Sequence, residues 1–456
     1  MSDRNGSPTP ALARIVELDL DEPSGLRPPG ACGTVEPAGP VLALVRSKGH
    51  PIGLVSGHGA AGDPAGLRRA LVEAALRDLP DPDRPDPDRR VPDRPDPDRR
   101  VPDRAVPDRR VPDRRGGPAS AAVPPAAPPA TDRRPLVSVI VCTRNRTEML
   151  RRSLDSVVRT AYPRAEIIVV DNAPTGDATE QLVRSRYADR IRYVREPVPG
   201  LSWARNRGLA EARGEICAFT DDDAIADPHW VDAVVETFRQ DAAVGCVTGL
   251  VLAAELETEA QVLLEQYGSS SRGYAAQSWS LRDAPDDPLV RFSVGRFGCG
   301  ANMAFRTDVL REFGGFDTAT GAGTPARGGE DLLAFLHVLS SGRTVVYQPD
   351  AIVWHRHRRT MEALTTQVFN FGVGYGAFLA AAVAREPGLV VELVRRLPRG
   401  VWKWQAARRR HVQSAPSART VQRRLGHLEF GGLLCGPFAY LFSLWRQHGL
   451  QPGEWP

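Results

Sequence analysis

The sequence predicts an α/β fold, a parallel sheet covered by helices, on three observations. Val137 to Cys142 and Glu166 to Val170 are apolar on both faces of an extended chain, as strands buried on both sides of a sheet must be. Glu148 to Val158, between them, has helical spacing and supplies the crossover that parallel pairing needs. Ile216 to Thr220 is a further apolar strand that runs directly into Asp221, Asp222 and Asp223.

The remaining elements follow the same alternation. Ala178 to Tyr187 reads as a helix, Ile191 to Val194 as a short strand and Ser202 to Ala212 as a helix. Asp227-Pro228 is the expected cap and first-turn pair of a helix from His229 to Phe238, because Asp caps helices and Pro is preorganised for the first position. Leu332 to Leu339 is helical, and Thr344 to Tyr347 is strand-like before an expected turn at Pro349-Asp350-Ala351. In such sheets ligands gather at the carboxyl ends of the strands. Three polar clusters should therefore converge there: Thr143 to Arg146, Asp171-Asn172 and Asp221 to Asp223. Neither a G-x-G-x-x-G turn nor a Walker A loop follows the first strand.

On either side of this region the texture changes. Residues 1–79 read as a small accessory α+β module: Val41 to Val45 and Ile52 to Val55 as a hairpin around Gly49-His50-Pro51, then a helix from Leu67 to Leu79. Residues 80–132 are Pro-Asp-Arg repeats and an Ala/Pro-rich stretch, a composition that buries no core and reads as a disordered linker. Residues 133–360 form the expected catalytic domain and 361–456 a helical C-terminal extension. Basic residues among Leu, Val and Trp after Arg395, and the apolar run from Gly431 to Trp445, fit either a helix lying on an anionic membrane surface or ordinary packing on the catalytic sheet. Pro437 and the short run argue against a span.

The chain has 456 residues, with 59 Lys plus Arg against 55 Asp plus Glu. A net charge of +4 is too small and too mixed to mark a nucleic-acid partner, and no nucleic-acid motif occurs. The 6 cysteines form no CxxC or CxxH pair, which excludes a zinc or disulfide framework. The opening residues lack the apolar core of a secretory signal, so a cytoplasmic location is expected, peripheral at the inner face of the cell membrane where the C-terminal helices reach it.

Three successive carboxylates at a strand end repel one another unless a cation or several donors compensate. Hard oxygen ligands suit Mn²⁺ or Mg²⁺, and in an extended segment Asp221 and Asp223 share a side while Asp222 faces away. Glu330-Asp331 opens the helical pattern after a Gly-rich stretch. A carboxylate beside a bound diphosphate could remove an acceptor proton. His355, in Trp354 to Arg359, could complete a metal shell, with the arginines neutralising phosphate.

The ordered motifs from about Pro135 to Arg359 resemble family 2 glycosyltransferases, inverting enzymes with the GT-A fold. They are Val139 to Arg146, Ile168 to Asn172, Pro199 to Gly208, Phe219 to Asp223, Gly300 to Arg306, Gly314 to Asp317 and Gly329 to Asp331. The resemblance implies a mixed, mainly parallel sheet flanked by helices. It implies that Thr143, Arg144 and Asp171 hold the nucleotide, with Arg205 and Asn206 near its base or ribose. Asp221 and Asp223 match the family's Asp-x-Asp signature, with Asp222 beside them; Gly300 and Asn302 belong to the loop lining donor sugar and acceptor. Asp331 matches the catalytic base, with Glu330 next to it, and His355 the metal-joining histidine. The implied reaction moves a sugar from a nucleoside-diphosphate donor to the hydroxyl of a glycan, lipid-linked or small-molecule acceptor, with a divalent cation as cofactor. The alternative is a catalytically silent sugar-nucleotide or glycan-binding protein of the same fold.

Overall fold

The computed structural model describes residues 12–22, 25–30, 33–79, 134–268, 271–282, 290–395 and 416–448. The Pro-Asp-Arg linker and the basic stretch from 396 to 415 lie outside the described residues.

The central element is a nine-stranded mixed sheet. Its first half contains β4 (Val137–Thr143), β5 (Ala165–Asn172), β6 (Ile191–Glu196) and β7 (Ile216–Asp221). Its second half contains β8 (Ala224–Ala226), β9 (Val244–Ala253), β10 (Gln277–Trp279), β11 (Asn302–Arg306) and β12 (Thr344–His355). The order is β10-β12-β9-β11-β7-β4-β5-β6, with β8 added along β12. β7, β4, β5 and β6 pair in parallel, and β11 inserts antiparallel between β7 and β9. This is the mixed sheet flanked by helices that the resemblance implies.

The helices cover the two faces. Helices α2 (Thr147–Val157), α3 (Ala178–Arg186) and α5 (Trp230–Gln240) bury Leu150, Leu154, Val183, Trp230 and Val234 against one face. On the other, α4 (Leu201–Glu211), α7 (Thr307–Glu312), α8 (Glu330–Ser340) and α9 (Met361–Arg385) bury Leu209, Leu310, Phe335 and Phe378. Burying a side chain of this size contributes about 1.5–3 kcal/mol, and the sheet supplies such partners along both faces.

The N-terminal residues form a smaller sheet of β1 (Arg14–Asp19), β2 (Gly39–Ser47) and β3 (His50–Gly59), covered by α1 (Pro64–Asp78). The hairpin turns at Lys48 and Gly49, both with positive φ, one step earlier than the sequence suggests. β1, parallel to β2, was not legible in the sequence. The outer face of this sheet packs on the main one: Ile15, Leu42 and Leu44 share a cluster with Leu250, Tyr347, Ile352 and Trp354.

Three local expectations are corrected. Helix α5 starts at Trp230 with no side-chain cap. The Asp227 carboxylate instead accepts from the His229 N–H in its own turn and from the buried Arg46 guanidinium, which also binds Glu17. Pro349-Asp350-Ala351 is no turn but an irregularity within the continuous strand β12, where the register to β9 shifts between Gln348 and Ile352. Pro437 does not end the last helix: α10 (Pro416–His448) extends well beyond its apolar run and passes straight through Pro437. The Leu433 carbonyl, which Pro437 cannot bond, faces Gly376 of α9, where an added Cβ would lie 2.3 Å from that oxygen. By length and composition, Met361–Arg385 and Thr420–Gln447 could each cross a membrane.

Candidate active site

Register brings the polar clusters together. Thr143 pairs with Asp171 across β4 and β5, and Cys142 with Asp221 across β4 and β7, so these three strands end side by side. β8 then folds back along β12 with His355 opposite Ala224, and the Arg356 N–H donates to the Asp223 carbonyl. These pairings carry His355 to the acidic strand end.

Asp221, Asp223 and His355 each turn one ligand atom toward a common point, all within 4.8 Å of one another. His355 Nε2 lies 3.1 Å from Asp223 Oδ1 and 4.0 Å from Asp221 Oδ2. Asp222 turns the other way, accepting from Thr143 Oγ1 at 2.7 Å and from Arg146. Arg146 also donates to Asp223 Oδ2 at 2.7 Å. One guanidinium thus offsets part of the charge on both carboxylates.

Burial sets the protonation of this cluster. It raises Asp221, with Arg205 opposing, and pushes Asp222 up to about 7 although Arg146 opposes it. Burial would raise Asp223 too, but His355 and Arg146 hold it well below the usual carboxylate range. Burial would lower His355, yet the Asp223 carboxylate raises it. The result is a persistent anion at Asp223 beside an imidazole that favours its cationic form, so an arriving cation would displace the proton of His355.

The opposite wall begins at α8. Gly329 has a φ of 93°, and an added Cβ would meet the Gly374 carbonyl of α9 at 2.5 Å, so this start accepts only glycine without a shift. Asp331 faces the cleft. Its Oδ2 accepts from the Gly300 N–H at 2.9 Å and its Oδ1 from the Leu332 N–H at 2.8 Å, which fixes the carboxylate's direction. Glu330 points inward to Arg205 Nη1 at 2.8 Å, with Oε2 buried and unpartnered. Burial and Asp331 together push Glu330 up to about 7 despite Arg205. Arg205 also donates to the Gly300 carbonyl at 3.2 Å and reaches Asp221 Oδ1 at 3.5 Å, joining both walls.

Not every candidate faces the cleft. Asn302 is buried, its amide bonded to the carbonyls of Leu250 and Ala351 and to Trp230 Nε1; it ties β11 to β9, β12 and α5. Asn206 clamps the backbone of Phe316 by both its N–H and its carbonyl. Asp171 is fully buried, with Oδ2 accepting from Tyr193 at 3.0 Å and Oδ1 unpartnered, while Asn172 lines the cleft. Thr143 and the exposed Arg144 also line it.

The sequence reading missed several wall residues. Arg146 sits in the first polar cluster, but nothing in its spacing reveals a clamp on two carboxylates 76 and 77 positions away. Thr366, Asn370, Phe371 and Tyr375 of α9 and Glu429 of α10 line the far side; an apolar helical pattern carries no sign of that. The whole cleft encloses about 1060 Å³, ample for a nucleotide sugar with an acceptor group.

The sequence matches the family described as Glycosyl transferase family 2 over residues 138–314. Residues 138–314 are a glycosyltransferase family 2 segment. The match takes in Thr143, Asp171, Arg205 and the Asp221–Asp223 cluster and ends before Glu330, Asp331 and His355. The glucosyl-dolichyl phosphate glucuronosyltransferase of Haloferax volcanii is 26% identical over 229 residues, covering 48% of this chain and 69% of that protein. The succinoglycan biosynthesis protein ExoM of Rhizobium meliloti is 28% identical over 254 residues, covering 54% and 75%. Among solved structures, a mannosyltransferase from Pyrobaculum calidifontis in complex with GDP-Man and Mn2+ aligns at a TM-score of 0.44 with 18% identity, covering 67% of this chain and 88% of that one. This glycosyltransferase therefore carries the matched segment on β4 to β11, and the two acids of α8 and the histidine of β12 reach the cleft through tertiary structure.

Proposed function

We propose that this glycosyltransferase moves a sugar from a nucleoside-diphosphate donor to an acceptor hydroxyl by a single, inverting displacement assisted by a divalent cation. The observation that carries the reading is the division of one cleft into two walls. One bears the convergent donors of Asp221, Asp223 and His355; the other bears a backbone-oriented carboxylate, Asp331.

The donor set fits Mn²⁺ or Mg²⁺: two carboxylates and an imidazole converge, and Asp223 stays ionised. When bound there, the cation supplies Lewis-acid neutralisation of the diphosphate, on the order of several kcal/mol. Arg146 keeps Asp222 and Asp223 in place. Thr143, Arg144 and Asn172, which line the cleft, are the nucleotide-side contacts. Asp331 takes the acceptor proton, and the hydroxyl oxygen attacks the anomeric carbon opposite the leaving diphosphate. Arg205, held by Glu330, positions Asp331 through Gly300, whose carbonyl accepts from Arg205 and whose N–H donates to Asp331. Peripheral membrane contact through α9 and α10 belongs to the same reading.

The test is release of nucleoside diphosphate from a panel of UDP-, GDP- and dTDP-sugars with Mn²⁺ or Mg²⁺. Turnover of one donor, abolished by EDTA and restored by added metal, is expected. Donor turnover unchanged by EDTA would refute the metal role, and donor binding without any turnover would favour the silent binding protein.

A further inference from the structure

The last helix carries an apolar face that is exposed among the described residues. Phe430, Leu434, Phe438, Leu441, Phe442 and Trp445 of α10 are between 43% and 75% exposed. At about 100° per residue these six positions fall within one third of the helix circumference, a single stripe roughly 22 Å long at 1.5 Å per residue. No charged residue occurs between Glu429 and Arg446. Phe442 and Trp445 stack with ring centroids 5.6 Å apart.

The opposite face of α10 is fixed to the protein. Gly432 and Gly436 meet Gly372 and Gly376 of α9 so closely that an added Cβ at any of the four would lie within 2.6 Å of a backbone atom of the other helix. Such small-residue crossings are the packing that serves helices where the hydrophobic effect between them is weak. Tyr440 and Ser443 are buried on this side, and Tyr440 Oη donates to Asp317, which also binds Arg385 of α9. The stripe is held at a set position relative to the catalytic cleft.

Cleft and stripe meet. Phe371 of α9 is exposed and lines the cleft; Glu429, next to Phe430, lines it too and accepts from Tyr267 at 2.5 Å. The cleft's far wall thus borders the start of the apolar stripe.

Resting on the glycosyl-transfer reading, we propose that α10 lies in the surface of an anionic phospholipid bilayer, and that the acceptor is a lipid-borne amphiphile whose hydroxyl-bearing head enters the cleft from that bilayer. Although α10 is long enough to span, its inner face is bound to α9, and α9 in turn to the polar catalytic domain through Phe378, Ala381 and Ala382. The helix therefore sinks only its stripe, about 5–10 Å deep. Charge favours an anionic bilayer as the occupant. Arg423 and Arg424 precede the stripe and Arg446 ends it, all exposed. Anionic headgroups neutralise these cations at both ends of the stripe, whereas a parallel copy would set each arginine against its own counterpart.

The test uses the full chain and a triple variant, Phe438→Ser, Leu441→Ser and Trp445→Ser, in flotation with phosphatidylglycerol vesicles. Wild-type protein is expected to float, and the variant to lose partitioning by about tenfold or more, with thermal stability and donor turnover in lipid-free solution retained. With labelled donor and vesicles of total membrane lipid, label should enter the chloroform-soluble fraction, and less of it with the variant. Wild-type protein that stays at the bottom of the gradient, or a variant that floats equally well, overturns the membrane site. A solution dimer that the triple variant abolishes assigns the stripe to a second copy. Label confined to water-soluble product overturns the lipid acceptor, while absence of donor turnover in every form, with flotation intact, counts against the transferase reading alone.

Discussion

Arg205 and Glu330, 125 positions apart, meet as a buried ion pair with Nη1 2.8 Å from Oε1. The pair joins α4 to α8 beneath the floor of the cleft, and each partner is at most 6% exposed. Removing only the cation leaves a carboxylate that water cannot reach. Arg205→Ala is expected to lower stability by about 3–5 kcal/mol, read as the urea midpoint at unchanged slope. Adding Glu330→Gln should recover part of the loss.

The same carboxylate gives a pH signature. Its pKa in the fold, raised to about 7 by burial and Asp331, lies above the unfolded value, so the folded state binds the extra proton. Stability should therefore fall as pH rises from about 4.5 to 7. In Glu330→Gln that part of the slope should vanish in thermal melts between those limits. An identical slope in the variant would assign the effect to another group.

Asp331→Asn preserves the shape of the side chain and one acceptor oxygen, and removes the proposed base. Turnover should drop by roughly 10²–10⁴, with donor KM nearly unchanged because the residue faces the acceptor side. A donor KM that rises with little loss of kcat would make it a binding residue instead.

Asp223→Ala removes one of three convergent donors and the partner that raises His355. The increase in melting temperature on adding Mn²⁺ should disappear, and metal affinity measured by calorimetry should fall by at least about tenfold. A retained Mn²⁺ shift would place the ion elsewhere.

Asn302 separates a fold role from a binding role. Its amide satisfies two strand carbonyls and the Trp230 indole, so Asn302→Ala should cost about 2–4 kcal/mol and leave donor KM unaltered at a temperature where the variant is folded.

The sequence alone determined the parallel half of the sheet, β4 to β7, the Asp221–Asp223 strand end and the order of the motifs. These are local signals: apolar runs of fixed period, and acids where a buried strand stops. It also set Asp222 apart from its neighbours, since side chains alternate along an extended chain. Tertiary structure decided which polar residues face the cleft. Asn302 and Asn206 read like Thr143 in a motif, but their backbone partners lie 49 to 110 positions away, and no local pattern encodes such a pairing. It likewise decided that Arg146 clamps two aspartates, that Asp227 serves Arg46 rather than a helix end, and that the apolar α9 forms a cleft wall. Composition says that a residue prefers to be buried; only packing says against what, because burial energy depends on area and carries no direction.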